Sequence, residues 1–126
     1  MIIEIPITPR TKKNSSRVVY VHGRIMVIPS KNYKEYEKNC EKYMPSLENP
    51  INYPINLKCT FYMGTKRKVD ISNLFSAISD ILTRYKVIED DNRNIIVSYD
   101  GSRVYYDKEH PRTVIEITKV NDYQQW

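Results

Sequence analysis

Hydrophobic and polar positions alternate along much of this chain. Ile3, Ile5 and Ile7 interleave with Ile2, Glu4 and Pro6, the two-residue period of a first strand. A polar, basic stretch over residues 9–17 has too few apolar side chains for either period and predicts a loop. Residues 17–21 and 24–28, separated by His22-Gly23, predict a hairpin. Ser30, just after Pro29, stands where a helix N-cap belongs. Tyr33, Tyr36, Cys40, Tyr43 and Met44 then recur at helical spacing until Pro45 closes the segment. Such a stripe on one face predicts core packing rather than base stacking. Over residues 53–63, Ile55, Leu57, Cys59, Phe61 and Met63 alternate with Asn56, Lys58, Thr60 and Tyr62. This is the clearest strand of the chain. A basic turn over 64–68 leads to a helix over 71–84, with Leu74, Ala77, Ile78, Ile81 and Leu82 facing the core. Residues 95–98 and 103–106 flank Asp100-Gly101-Ser102, which reads as a hairpin turn. Residues 114–119 supply a last strand and 121–126 a polar tail. The fold expected is α+β, a mostly antiparallel sheet with two helices packed on one face, in a single domain over 1–126.

The 126 residues allow one real core and no second one. A formal charge of +5 favours a polyanionic partner, although solvated charge alone explains such an excess about as often. Cys40 and Cys59 are too few for a disulfide framework and lack metal-ligand spacing, so both are expected as buried thiols. No run reaches transmembrane length and the N-terminus has no signal-peptide pattern. No membrane association is expected, and the expected compartment is the cytoplasm.

Two acidic clusters bracket the helix over 71–84. One centres on Asp70, with Ser72 and Asn73 beside it, and the other is Glu89-Asp90-Asp91. Carboxylates gathered together repel unless a cation neutralises them. Hard oxygen donors suit Mg²⁺, with Mn²⁺ as the variant, held by one or two carboxylates, water and substrate phosphate. Lys66, Arg67 and Lys68 directly precede the first cluster, as a phosphodiester site would require. A helix of this length spans roughly 20 Å. The seven residues from Tyr85 to Asp91 stretch roughly 23 Å if extended. They can therefore run back along the helix, which allows a shared site without requiring one. Asn73, Ser76, Asp80 and Thr83 form a polar stripe on this helix. Asp80, roughly 15 Å along it, is better read as a structural hydrogen-bond partner. Taken separately, Asp70 reads as a helix cap and Asp90-Asp91-Asn92 as an exposed turn.

Together, Lys68-Val69-Asp70-Ile71-Ser72-Asn73-Leu74, Asp80 and Val87-Ile88-Glu89-Asp90-Asp91 resemble the RusA family of Holliday junction resolvases. The loop from Pro9 to Asn14, with Lys12 and Lys13, is similar to the family's basic N-terminal loop. The resemblance implies a homodimer that binds branched DNA, above all four-way junctions, and nicks two opposing strands with Mg²⁺. It implies Asp70 and Asp91 as catalytic metal ligands, with Asp90 a close neighbour or third ligand. Ser72 stands where the family has its second motif aspartate, leaving a neutral hydroxyl ligand. Ser76 stands where the family has a catalytic lysine, a cation for which Lys12, Lys13, Lys66 and Lys68 are the candidates. DNA contacts are expected from Arg10, Lys12, Lys13, Asn14, Arg17, Lys66, Arg67 and Lys68, with Asn73, Ser76 and Asp80 in support. Two rivals are a catalytically weak or inactive homologue that binds branched DNA without cutting it, and a module whose carboxylates only pair with Lys and Arg. Adjacent carboxylates repel phosphate and give a mere DNA binder nothing, which favours cleavage.

Overall fold

The computed structural model describes residues 1–12, 16–29 and 31–122. Among these the elements run β1 (Ile2–Ile5), β2 (Ser16–Val21), β3 (Arg24–Pro29), α1 (Lys31–Cys40), β4 (Ile55–Met63), α2 (Ile71–Arg84), β5 (Ile96–Ser98), β6 (Arg103–Tyr106) and β7 (Arg112–Lys119). A short 3-10 turn, Glu41–Tyr43, extends α1 to Met44 before Pro45. The expected cap at Ser30 lies outside the described residues, as does most of the polar tail.

β4 is the middle of the sheet because its two-residue period never breaks. Ile55, Leu57, Cys59 and Phe61 are all fully buried, while their neighbours stay half-exposed on the other face. β7 pairs antiparallel with β4, and β1 pairs antiparallel with β7. Their inward residues Ile3, Ile5, Ile115 and Ile117 extend the same apolar face. One hydrophobic cluster joins that face to Tyr33, Tyr36 and Cys40 of α1 and to Leu74, Ala77, Ile78, Ile81 and Leu82 of α2. The fold is therefore α+β with both helices on one face of a mostly antiparallel sheet. The tyrosine stripe of α1 belongs to the core, as its spacing predicts.

β2 and β3 form a separate two-stranded sheet. His22 at φ 51° and Gly23 at φ 76° both take the left-handed region, as a two-residue turn between right-twisted strands demands. This hairpin matches the sequence expectation.

Asp100-Gly101-Ser102 does not. β5 and β6 are not hairpin partners; each pairs parallel with β4, β5 at Ile55–Asn56 and β6 at Thr60–Met63. The chain steps outward between them and continues in the same direction, and side chains hold the step. Asn56 Oδ1 accepts the Asp100 N–H at 2.8 Å and the Ser98 hydroxyl at 2.5 Å. Asn56 Nδ2 donates to the Asp100 carbonyl at 3.1 Å. Ser102 Oγ accepts the Cys59 N–H at 2.9 Å, filling the place of a strand carbonyl. Gly101, at φ +86°, passes so close beneath Lys58 that an added Cβ would sit 3.1 Å from its side chain. Among the described residues no helix is long and apolar enough to cross a membrane.

Candidate active site

β4 ends at Met63 and the chain turns through Gly64–Val69, presenting Lys66, Arg67 and Lys68 to solvent. Lys66 lies over the Tyr106 ring at 5.1 Å. Asp70 then begins α2 with extended backbone, φ −81° and ψ 127°, and its carbonyl accepts the Asn73 and Leu74 N–H groups at 3.0 and 3.3 Å. Its side chain makes no capping hydrogen bond. Asp70 thus occupies the N-cap position through its backbone while its exposed carboxylate is left out of the cap. Ser72 is exposed on the first turn, and Asn73 is half-buried.

The polar stripe of α2 has a defined partner. Asp80 Oδ2 accepts from Lys12 Nζ at 2.6 Å, so Asp80 is the structural partner its position predicts. Lys12 also stands 5.8 Å from the Tyr33 ring centroid. Pro9 and Thr11 are buried beside it, which roots the start of the basic loop in the domain. Arg10 is exposed. Lys13 and Asn14 lie outside the described residues, and Arg17 sits on β2 opposite Ile28. Ser76 is exposed one turn before Asp80, and its carbonyl accepts the Ser79 hydroxyl at 3.1 Å.

At the far end of α2 the chain reverses through Lys86, at φ 60°. Val87 and Ile88 are fully buried, and the Ile51 backbone brackets them: Ile51 N–H donates to the Val87 carbonyl and Glu89 N–H to the Ile51 carbonyl, both at 2.9 Å. This apolar pair anchors the acidic turn that follows. Asp90 Oδ1 accepts the Asp91 N–H at 2.8 Å, and its Oδ2 accepts Asn92 Nδ2 at 3.3 Å. The Asn92 side chain and carbonyl close the turn onto Asn94, Ile95 and Ile96. Asp90 therefore orders the turn, and Asp91 is the carboxyl it presents. Burial raises the Asp91 carboxyl above the usual carboxylate range, the hydrogen bond and charge of Asp90 push it further, and Asp80 adds to the shift.

The returning chain has therefore brought Asp91 into the field of Asp80, part-way up α2. Among the described residues no three His, Cys, Asp or Glu side chains converge into one metal-binding group. Tyr99, absent from the sequence candidates, also faces this region. Its phenol is raised by burial, then by Cys59 and Asp91, and its ring stacks on Phe75 of α2 at 4.0 Å. No local spacing signals it, because it reaches Phe75 across the sheet edge. A cavity of about 710 Å³ opens beside α1 and the end of α2, lined by Lys12, Lys34, Lys38 and Arg84 together with Glu37 and Glu41. It shares Lys12 with the polar stripe and includes neither acidic cluster.

Fold and charge together define an α+β domain in which exposed carboxylates stand among cationic turns on either side of one helix. The family model of Endodeoxyribonuclease RusA matches residues 6–118. The chain belongs to that family, whose activity is endonucleolytic resolution of Holliday junctions. A comparison with curated proteins found no match.

Proposed function

We propose that this protein is a Mg²⁺-dependent endonuclease that resolves four-way DNA junctions by paired nicks in opposing strands, working as a homodimer in the cytoplasm. The observation that carries the reading is the family match over residues 6–118, with Asp90 and Asp91 adjacent on a turn anchored by two fully buried side chains. Two adjacent carboxylates held at a cost in repulsion fit a hard divalent cation, which needs only one or two of them plus water and phosphate. Asp91, Asp90 and Asp70 would hold it, with the Ser72 hydroxyl as a neutral donor. When bound, such an ion supplies an oriented water of lowered pKa and offsets charge in the transition state. The chain's own cations do the rest. Lys66, Arg67 and Lys68 bind the phosphate backbone next to Asp70, while Arg10, Lys12, Lys13, Asn14 and Arg17 bind a junction arm. Asp80 holds Lys12 on the polar stripe of α2, one turn beyond the exposed Ser76, as a candidate for the cation that Ser76 does not supply. Asn73 supports the start of α2. A two-fold junction calls for two sites related by a two-fold axis, which an isologous dimer provides. The free, buried Cys40 and Cys59 suit a reducing compartment.

A second reading has an observation of its own. Both Asp90 oxygens are engaged within the turn, and Ser72 brings no charge. This favours a weak or inactive homologue that binds branched DNA without cutting it. Purified protein with a labelled four-way junction, in Mg²⁺ and in EDTA, separates the two. Paired nicks in Mg²⁺ alone support the nuclease, whereas binding without product supports the second reading. Sedimentation of a monomer under conditions of paired cutting would remove the dimer.

A further inference from the structure

The helices cover one face of the sheet and leave the other open. On that open face, β4, β6 and β7 place three side chains in one row, since Tyr62 is in register with Tyr105 on β6 and with Arg112 on β7. The Tyr62 and Tyr105 rings are stacked, with centroids 5.6 Å apart and planes at 25°. The Arg112 guanidinium lies over Tyr62 at 3.7 Å. It is fixed there by Asp107 at 2.9 Å and by Glu4 at 3.8 Å. The result is a cation–π ladder whose outer rung, Tyr105, is 50% exposed on an edge strand.

Cross-strand aromatic pairs stabilise sheets by themselves, so the stack alone does not name a ligand. The surrounding charge does. Arg103 is the next outward residue of β6 on this face, in register with Thr60. Arg67 and Lys68 lie on the turn that follows β4, and Lys108 follows β6. None of these four cations forms an ion pair among the described residues. Asp107 is already taken by Arg112, which leaves Glu109 as the opposing carboxylate nearby. A second copy of the chain would bring the same positive rim against itself. A flat π surface beside the unpaired Arg103, at the end of the sheet that Lys108 and the 66–68 turn follow in the chain, instead matches unpaired nucleotides, whose bases stack on aromatic rings while their phosphates meet Lys and Arg.

We propose that the Tyr62–Tyr105 stack is a platform for unpaired DNA nucleotides, with Tyr105 taking the base and Arg103, on the same face of β6, taking a phosphate. The idea rests on the junction-nuclease reading for its biological setting, since a branch point exposes unstacked bases, but its test does not. Fluorescence anisotropy in EDTA would compare wild type, Tyr105→Ala and Tyr105→Phe on an oligo-dT single strand and on a duplex of equal length. Tyr105→Ala should bind the single strand on the order of tenfold more weakly, and Tyr105→Phe within about twofold of wild type. Duplex affinity should be unchanged in both. Equal single-strand binding by Tyr105→Ala and wild type overturns the platform, as does equal loss in the Ala and Phe variants. Conversion of a dimer to a monomer by Tyr105→Ala overturns it too, by making this face a contact between copies. Should wild type cut no junction in Mg²⁺ while Tyr105→Ala still loses single-strand affinity, the nuclease reading falls and the platform stands.

Discussion

Lys12 Nζ sits 2.6 Å from Asp80 Oδ2, tying the start of the basic loop to the middle of α2. Both side chains are partly exposed, so the pair contributes little to stability, within about 1 kcal/mol. Its consequence is for DNA binding. Lys12 already has an anionic partner, and a phosphate bound by it must displace or share Asp80. We expect Lys12→Ala together with Lys13→Ala to weaken junction binding and to flatten its salt dependence, by about 0.9 in log–log slope for each duplex phosphate left without its lysine. Asp80→Asn should act in the opposite sense, freeing Lys12 and steepening the slope. Titrations at several salt concentrations check both, and an unchanged slope in the double variant removes this loop from the DNA-binding surface.

The second prediction concerns Asp70. Its carboxylate makes no cap hydrogen bond, and the first turn is closed by its backbone carbonyl. Asp70→Asn should therefore leave stability within about 0.5 kcal/mol of wild type, the range of surface substitutions away from special features. Junction binding should persist and cleavage should be lost. A melt together with a cleavage assay tests this, and cutting at the wild-type rate would return Asp70 to a purely structural role.

The two thiols give a prediction in pH. Burial pushes both Cys40 and Cys59 up to about 12, from an ordinary value of 9.0. A group whose folded pKa is raised keeps its contribution below the unfolded value and loses it as pH climbs toward the folded one. Stability should thus be flat up to about pH 9 and then fall by up to about 1.4 kcal/mol per pH unit for each thiol. Buried Tyr33 and Tyr36, also raised by desolvation, act in the same direction at higher pH. Urea unfolding from pH 7 to 10.5 measures the slope, and Cys40→Ala with Cys59→Ala should reduce it. Thiol labelling at pH 8 should be slow in the native protein and fast in urea.

What could be read from the sequence was local and periodic. The alternation of Ile55 to Met63, the apolar stripe of Leu74 to Leu82 and the His22-Gly23 turn each carry their own physics, so strand, helix and hairpin follow. Asp100-Gly101-Ser102 has equally strong turn chemistry, yet the chain does not reverse there. The deciding groups, Asn56 and the Cys59 N–H, lie more than forty positions away in sequence. The acidic clusters were likewise legible as residue types, and a chain that doubles back after α2 was within reach of the spacing. Their neighbours were not legible. Lys86 in the left-handed region and the Ile51 bridge decide that Asp91 enters the field of Asp80. Tyr105 and Arg112 meet Tyr62 through register alone, which no single strand records.

The last prediction joins Ser72 to the metal. Ser72 is exposed on the first turn of α2, two residues beyond Asp70. A carboxylate there has two separable effects. It meets the positive end of the helix dipole, which stabilises by about 0.3–1 kcal/mol without any metal. It also adds a formal charge to a set in which Asp70, Asp90 and Asp91 are the carboxylates proposed as ligands. Ser72→Asp should therefore leave the metal-free melt close to wild type, with the dipole gain opposing repulsion from Asp70. It should nonetheless enlarge the rise in melting temperature across a Mg²⁺ series. Binding to the folded state alone stabilises by RT ln(1 + [L]/Kd), so a tenfold tighter site adds about 1.4 kcal/mol once the metal is in excess. Asp70→Asn should shrink the same response. Cleavage by Ser72→Asp should match or exceed wild type at limiting Mg²⁺ and converge with it at saturation. An identical Mg²⁺ response in wild type and Ser72→Asp would mean that position 72 lies outside the metal's coordination sphere. The neutral serine would then be no handicap to catalysis.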